Sequence, residues 1–108
     1  MLKEKGDQIK IGANQGINKA SFFMQNEVKS SIAGQRAEPT SVDTGRFLNS
    51  IDVTTSQNQG IIFTDISYAK FLEYGTSRLA PRSHFRNSAA RNTEKVKEIM
   101  KEETTSNI

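Results

Sequence analysis

Cysteine is absent from the 108-residue chain and histidine occurs once, as His84. The first absence excludes disulfides and thiolate chemistry and fits a reducing compartment. The second leaves no multi-histidine metal site within one chain. Long apolar runs are missing too: none exceeds three residues, as in Phe22-Phe23-Met24 and Ile61-Ile62-Phe63. Neither a membrane span nor a secretory signal peptide is expected from such a pattern. Strong core formers are scarce, since Leu, Ile, Val and Phe together make up 24 of 108 residues. That is about one fifth, near the level at which charged chains stay disordered. A single small domain with a marginal monomer core follows.

Charge of one sign is also missing locally. The chain carries 15 basic and 12 acidic residues, a net +3, too mild by itself to imply nucleic acid. Between Glu73 and Glu94, however, no acidic residue occurs, while Arg78, Arg82, Arg86 and Arg91 do. Four guanidiniums without a nearby counter-charge form a basic patch. It could meet phosphates, or carboxylates from elsewhere in the fold or from another subunit.

Periodicity divides the chain. Ile9, Ala13, Ile17, Ala20, Met24, Val28 and Ile32 recur at spacings of three and four, which predicts one long helix over about residues 3–33. Gly34 is placed to end it, with Pro39 soon after. Gly12, Gly16 and Ala20 would lie along one stripe of that helix, either as a frayed opening or as a close contact for another helix. A helix of this length, roughly 45 Å, would exceed the width of so small a domain.

Asp43 or Thr44 is suited to cap a short helix whose apolar side is Phe47, Leu48 and Ile51. Alternation then sets in. Ile51, Val53 and Thr55 predict a half-buried strand, Asn58-Gln59-Gly60 a turn, and Gly60 to Thr64 a returning strand. A two-stranded hairpin is marginal in water, so it must be packed under helices or extended by another chain. Ser67 is placed to cap a second short helix over Tyr68–Tyr74, with Tyr68, Phe71, Leu72 and Tyr74 as anchors and Gly75 ending it in a left-handed conformation. From Ser83 a C-terminal helix is expected, with Phe85, Ala89, Val96 and Ile99 or Met100 on its apolar side and i,i+3 or i,i+4 charge pairs on the other.

No catalytic constellation emerges. Asp43-Thr44-Gly45 matches the tripeptide of aspartic proteases, which need two carboxylates sharing a proton. Here it runs straight into a helical segment, so capping is the better reading. His84 is expected at the surface or an interface rather than as a general base. No strand is expected before the N-terminal glycines and no Gly-Lys-Ser/Thr follows them, so no phosphate loop is predicted, and neither cofactor nor metal is expected.

Two stretches taken together do resemble a known family. Val42-Asp43-Thr44-Gly45-Arg46-Phe47-Leu48-Asn49-Ser50-Ile51 is similar to its V-D-T-G-x-L-x-x-S-I box. Tyr68-Ala69-Lys70-Phe71-Leu72-Glu73-Tyr74-Gly75-Thr76 is similar to its Y-A-x-x-x-E-x-G-T box. Ala80-Pro81-Arg82 and Phe85 to Ala89 follow in the expected order. The family is that of gene-product-ten-like minor tail components of siphophages and prophages. The resemblance covers about residues 40–90 and implies an α+β domain over 1–108: a long N-terminal helix (1–34), a box–hairpin–box core (42–76) and a C-terminal helix (83–103). It implies packing roles for Asp43, Thr44, Gly45, Tyr68, Ala69, Glu73, Tyr74, Gly75 and Thr76. It further implies a non-enzymatic virion protein, assembled in the host cytoplasm into a neck or tail-completion ring. Its partners would be its own copies, other phage connector and tail proteins, and passing double-stranded DNA, with no membrane. Arg78, Arg82, Arg86 and Arg91 would face that DNA or a neighbouring subunit. The competing expectation, from the arginines alone, is a small basic protein that binds nucleic acid without regard to sequence.

Overall fold

A computed structural model describes residues 2–5, 8–12, 16–38, 44–56, 59–77, 81 and 83–106, with side chains from residue 8 onward except those of 44 and 103–106. The element order is β1 (Leu2–Lys5), β2 (Gln8–Gly12), α1 (Ile17–Ile32), α2 (Thr44–Ser50), β3 (Asp52–Thr55), β4 (Gln59–Phe63), α3 (Ala69–Tyr74) and α4 (His84–Ser106). The class is α+β, as expected.

The first third departs from the expected single helix. Ile9 and Ile11 satisfy a period of two as well as they serve a helical stripe, and both are fully buried while Lys10 between them is exposed. Residues 2–12 therefore form an antiparallel strand pair, with Leu2 opposite Ile11 and Lys5 opposite Gln8. Gly16, at φ 82° and ψ 8°, is the left-handed residue from which α1 starts. A left-handed backbone is open to glycine at little cost, so the chain changes direction there. Gly12 lies in β2 and Gly16 outside the helix, so the expected Gly12, Gly16 and Ala20 stripe does not exist. Ala13 lies outside the described residues. At 16 residues α1 is roughly 24 Å long, about half the length expected.

The lower half of the expected stripe is correct. Ile17, Ala20, Met24, Val28 and Ile32 are buried, and α1 ends where Gly34 takes φ 83°. The Gln35 N–H then donates to the Ser30 carbonyl at 2.9 Å, a closing bond of the Schellman type. Pro39 lies outside the described residues.

The four strands among the described residues join one antiparallel sheet in the order β1-β2-β4-β3. The central hairpin is thus extended by a strand of its own chain and also packed under a helix. In register, Ile9, Ile62 and Val53 stand side by side on one face. That face is covered by α1, mainly over β3 and β4, and by α4, mainly over β1 and β2; the two helices also pack on each other. Ile9, Ile11, Ile62, Met24, Val28, Phe47, Phe85, Val96 and Met100 fill the space between the layers. Gln59, expected in the turn, belongs to β4 itself, and Gly60 lies in the returning strand as expected. The Ser56 N–H closes the hairpin on the Gln59 carbonyl at 2.8 Å, and residue 58 lies outside the described set.

Among the short helices, α2 buries Phe47 with Ile51 just beyond it, as its spacing predicts. In α3, Leu72 is buried, but Phe71 and Tyr74 are exposed rather than anchoring. Ser67 does not cap α3: the cap position is Tyr68, with no side-chain hydrogen bond to the helix start. Gly75 has φ 79° but ψ 176°. This is an extended positive-φ conformation instead of the left-handed helical one, and it is still essentially reserved for glycine. The long helix of the molecule is α4, 23 residues and roughly 34 Å.

Candidate functional site

Polar residues interrupt the apolar stripes at the same levels of α1 and α4. On α1, Glu27 and Ser31 share the buried face with Met24, Val28 and Ile32; on α4, His84, Ser88 and Asn92 share it with Phe85, Ala89 and Val96. A buried polar group needs partners. Here the partners are one another and two further carboxylates, Glu38 beyond the end of α1 and Glu73 on α3, so the helix pair carries a polar seam.

Its centre is Glu38, only 6% exposed. Arg91 embraces the carboxylate in bidentate fashion, Nη1 to Oε2 at 3.0 Å and Nη2 to Oε1 at 3.1 Å. Asn87 Nδ2 donates to Oε2 at 3.1 Å and the Ser31 hydroxyl to Oε1 at 2.5 Å. Because the Ser31 proton points to Glu38, His84 Nδ1, 2.7 Å from the Ser31 oxygen, donates to it. That orientation places a proton on Nδ1. His84 is fully buried, edge-on to Phe47 at 5.9 Å, which corrects the expectation of a surface position. Burial penalises the Glu38 charge, but hydrogen bonds from Arg91, Ser31 and Asn87, with the Arg91 charge, outweigh it and hold the carboxyl at about 2.

One turn along the seam, Glu27 accepts from Arg36 Nη2 at 2.8 Å and Nε at 3.2 Å, and from Asn92 Nδ2 at 3.2 Å. The hydrogen bond from Arg36 holds its carboxyl below the usual range despite partial burial.

Glu73 closes the other end. Its carboxylate, 2% exposed, accepts the Phe85 N–H at 3.0 Å and the Arg86 N–H at 2.8 Å. These are N–H groups in the first turn of α4, which lack carbonyl partners within their own helix, and a negative charge there is favourable. Arg86 returns to the same residue, Nε to Oε2 at 3.3 Å and Nη2 to the Glu73 carbonyl at 2.7 Å. The Ser83 hydroxyl donates to that carbonyl at 2.8 Å. Burial pushes the Glu73 carboxyl up, against the pull of its donors.

This arrangement revises the basic patch. Arg86 and Arg91 have in-chain counter-charges, Glu73 and Glu38, brought from elsewhere in the fold. Neither is the uncompensated guanidinium that sequence proximity suggested. Arg78 and Arg82 lie outside the described residues, as does Asp43. Thr44 opens α2 with its side chain undescribed. Gly45 sits inside α2 facing open space and needs no special backbone. The remaining motif residues converge: Ala69 is buried and Tyr68 packs edge-on against Phe47 at 6.0 Å, so the two sequence boxes touch. Tyr74 and Thr76 are exposed.

Chemically the seam is a lock. Ser31 stands between a carboxylate and an imidazole, yet its hydrogen goes to the carboxylate and all three groups are buried, so no route for a substrate to the oxygen is visible among the described residues. No group of three metal-ligating side chains occurs among them either, and none of their helices is long and apolar enough to cross a membrane. Sequence reasoning missed Glu27, Ser31 and Glu38. The readable signal was that Glu27 and Ser31 fall on the buried stripe of α1; nothing flagged Glu38. No protein-family profile matches the chain, no curated protein matches its sequence, and no solved structure matches its fold.

Proposed function

We propose that the chain is a structural component of a tailed-phage or prophage particle, a ring-forming neck or tail-completion protein. The observation that carries this reading is the ordered pair of boxes at residues 42–51 and 68–76. Their placement supports it: Phe47 of the first packs on Tyr68 of the second, and Glu73 of the second fastens α4. The motif residues that bear the resemblance thus do architectural work, and the buried seam has the character of a rigid subunit, not of a reaction site. Double-stranded DNA would pass through the ring, and connector and tail proteins would be its neighbours.

A stop codon early in the gene, in the phage or prophage that encodes it, tests this. Full heads and separate tails that fail to join, restored by supplying the protein in trans, are expected. Normal infectious particles lacking the protein would overturn the reading.

A further inference from the structure

Three large apolar side chains are exposed among the described residues: Phe22, Phe71 and Tyr74. The last two lie together, three residues apart on α3 and so on neighbouring parts of its surface. Phe71 is 48% and Tyr74 53% exposed, and each has a cation over its ring. Lys70 Nζ lies 5.6 Å from the Phe71 centroid, and the Arg86 guanidinium lies 4.6 Å from that of Tyr74.

The carboxylate of α3 is withdrawn. Glu73 is the sole acidic residue between positions 70 and 93, and it is turned inward under α4. The same stretch holds Lys70, Arg78, Arg82, Arg86 and Arg91. With Glu73 and Glu38 taken up by Arg86 and Arg91, the stretch keeps a cationic excess. The surface of α3 therefore offers two half-exposed aromatic rings, one under the Lys70 ammonium and one stacked on the Glu73-paired Arg86 guanidinium, with no exposed carboxylate on α3 or on the first two turns of α4 and with Asp65 in the loop before α3.

Flat π-faces beside positive charge suit unpaired bases, which stack on aromatic side chains while the backbone is neutralised. A duplex hides its base faces and would use only the cations. From this juxtaposition we propose that the α3 surface, Lys70, Phe71, Tyr74 and Arg86, is a binding site for single-stranded nucleic acid without sequence preference. The inference stands apart from the phage reading and holds for any cellular role.

The test is fluorescence anisotropy of the full chain with labelled oligothymidylate of about 15 nucleotides, at about 50 and about 200 mM salt. An oligouridylate and a duplex of equal length serve as comparison probes. Expected are saturable binding of both single strands, weaker binding of the duplex, and a loss of roughly tenfold or more on Phe71→Ala or Tyr74→Ala. Tyr74→Phe retains affinity, and Lys70→Gln flattens the salt dependence. Both aromatics are exposed, so the variants keep the parent melting temperature. Any of three results overturns the proposal: no binding at the lower salt; duplex bound as tightly as single strand with the alanine variants unchanged; or concentration-dependent self-association that the alanine variants abolish. The last would mean that a second copy covers this surface.

Discussion

Gly60 on β4 and Ser21 on α1 meet so closely that a Cβ on residue 60 would overlap the Ser21 hydroxyl and lie 3.2 Å from the Ser21 Cβ. The helix settles onto the sheet at this point because residue 60 has no side chain. The same approach buries the Ser21 hydroxyl without a hydrogen-bond partner, a cost set against close packing of the two layers.

Gly60→Ala is expected to destabilise the fold by about 1–3 kcal/mol through overpacking. Ser21→Ala should be neutral or stabilising, since it removes an unsatisfied hydroxyl. Adding Ser21→Ala to Gly60→Ala should recover part of the loss. Urea melts of the four proteins check this; equal midpoints for Gly60→Ala and parent would refute the contact.

Glu73→Gln keeps the shape of the fastening between α3 and α4 but turns one of two accepting oxygens into an NH2 that faces a donor, and should cost about 1–3 kcal/mol. Arg86→Ala should cost less, because that side chain is partly solvated. The two losses should fall short of additivity, since both variants cut one network. A double-mutant cycle in denaturant measures the shortfall.

Acid should loosen the α1–α4 seam. Glu38, held at about 2, and Glu27, also lowered, are more acidic folded than unfolded. Their contribution is complete above the ordinary carboxylate range of about 4.5 and drains away as pH falls from there toward about 2. Glu73, shifted upward, has the opposite sign and offsets a little of the loss. Glu38→Gln should lower stability at neutral pH and flatten the acid limb of a stability–pH curve. An unchanged limb would show that Glu38 does not carry it.

Two motif glycines should behave in opposite ways. Gly75→Val forces a β-branched residue into positive φ with extended ψ, at a cost of about 2 kcal/mol or more. Gly45→Ala fills open space inside α2 and should stabilise by up to about 1 kcal/mol. Thermal melts of both variants separate a backbone requirement from mere motif membership.

The elements most legible in sequence were those with one period and a clear stop. The β3–β4 pair, the lower half of α1 and its end at Gly34, and α4 from Ser83 onward all follow from local pattern. Residues 3–12 are ambiguous in sequence because Ile9 and Ile11 fit both periods, and Ile9 to Ile17 happens to continue the helical spacing. Gly12 and Gly16 were the local objection to a helix, outweighed by that continuity. The seam was illegible for another reason. Arg91 and Glu38 are far apart in the chain, and no one-dimensional pattern says which carboxylate reaches which guanidinium. His84 looked like a surface residue among arginines until Phe47 and Ser31 enclosed it.

The strand order carries a consequence for synthesis. Ile9 faces its partner Ile62 only after the whole central hairpin has left the ribosome, and α4 seals that half of the sheet later still. A nascent chain thus holds a greasy ribbon open along its leading edge while it waits for distant material. Co-translational pulse proteolysis should find β1 and β2 vulnerable until α4 has emerged, with protection arriving in one late step.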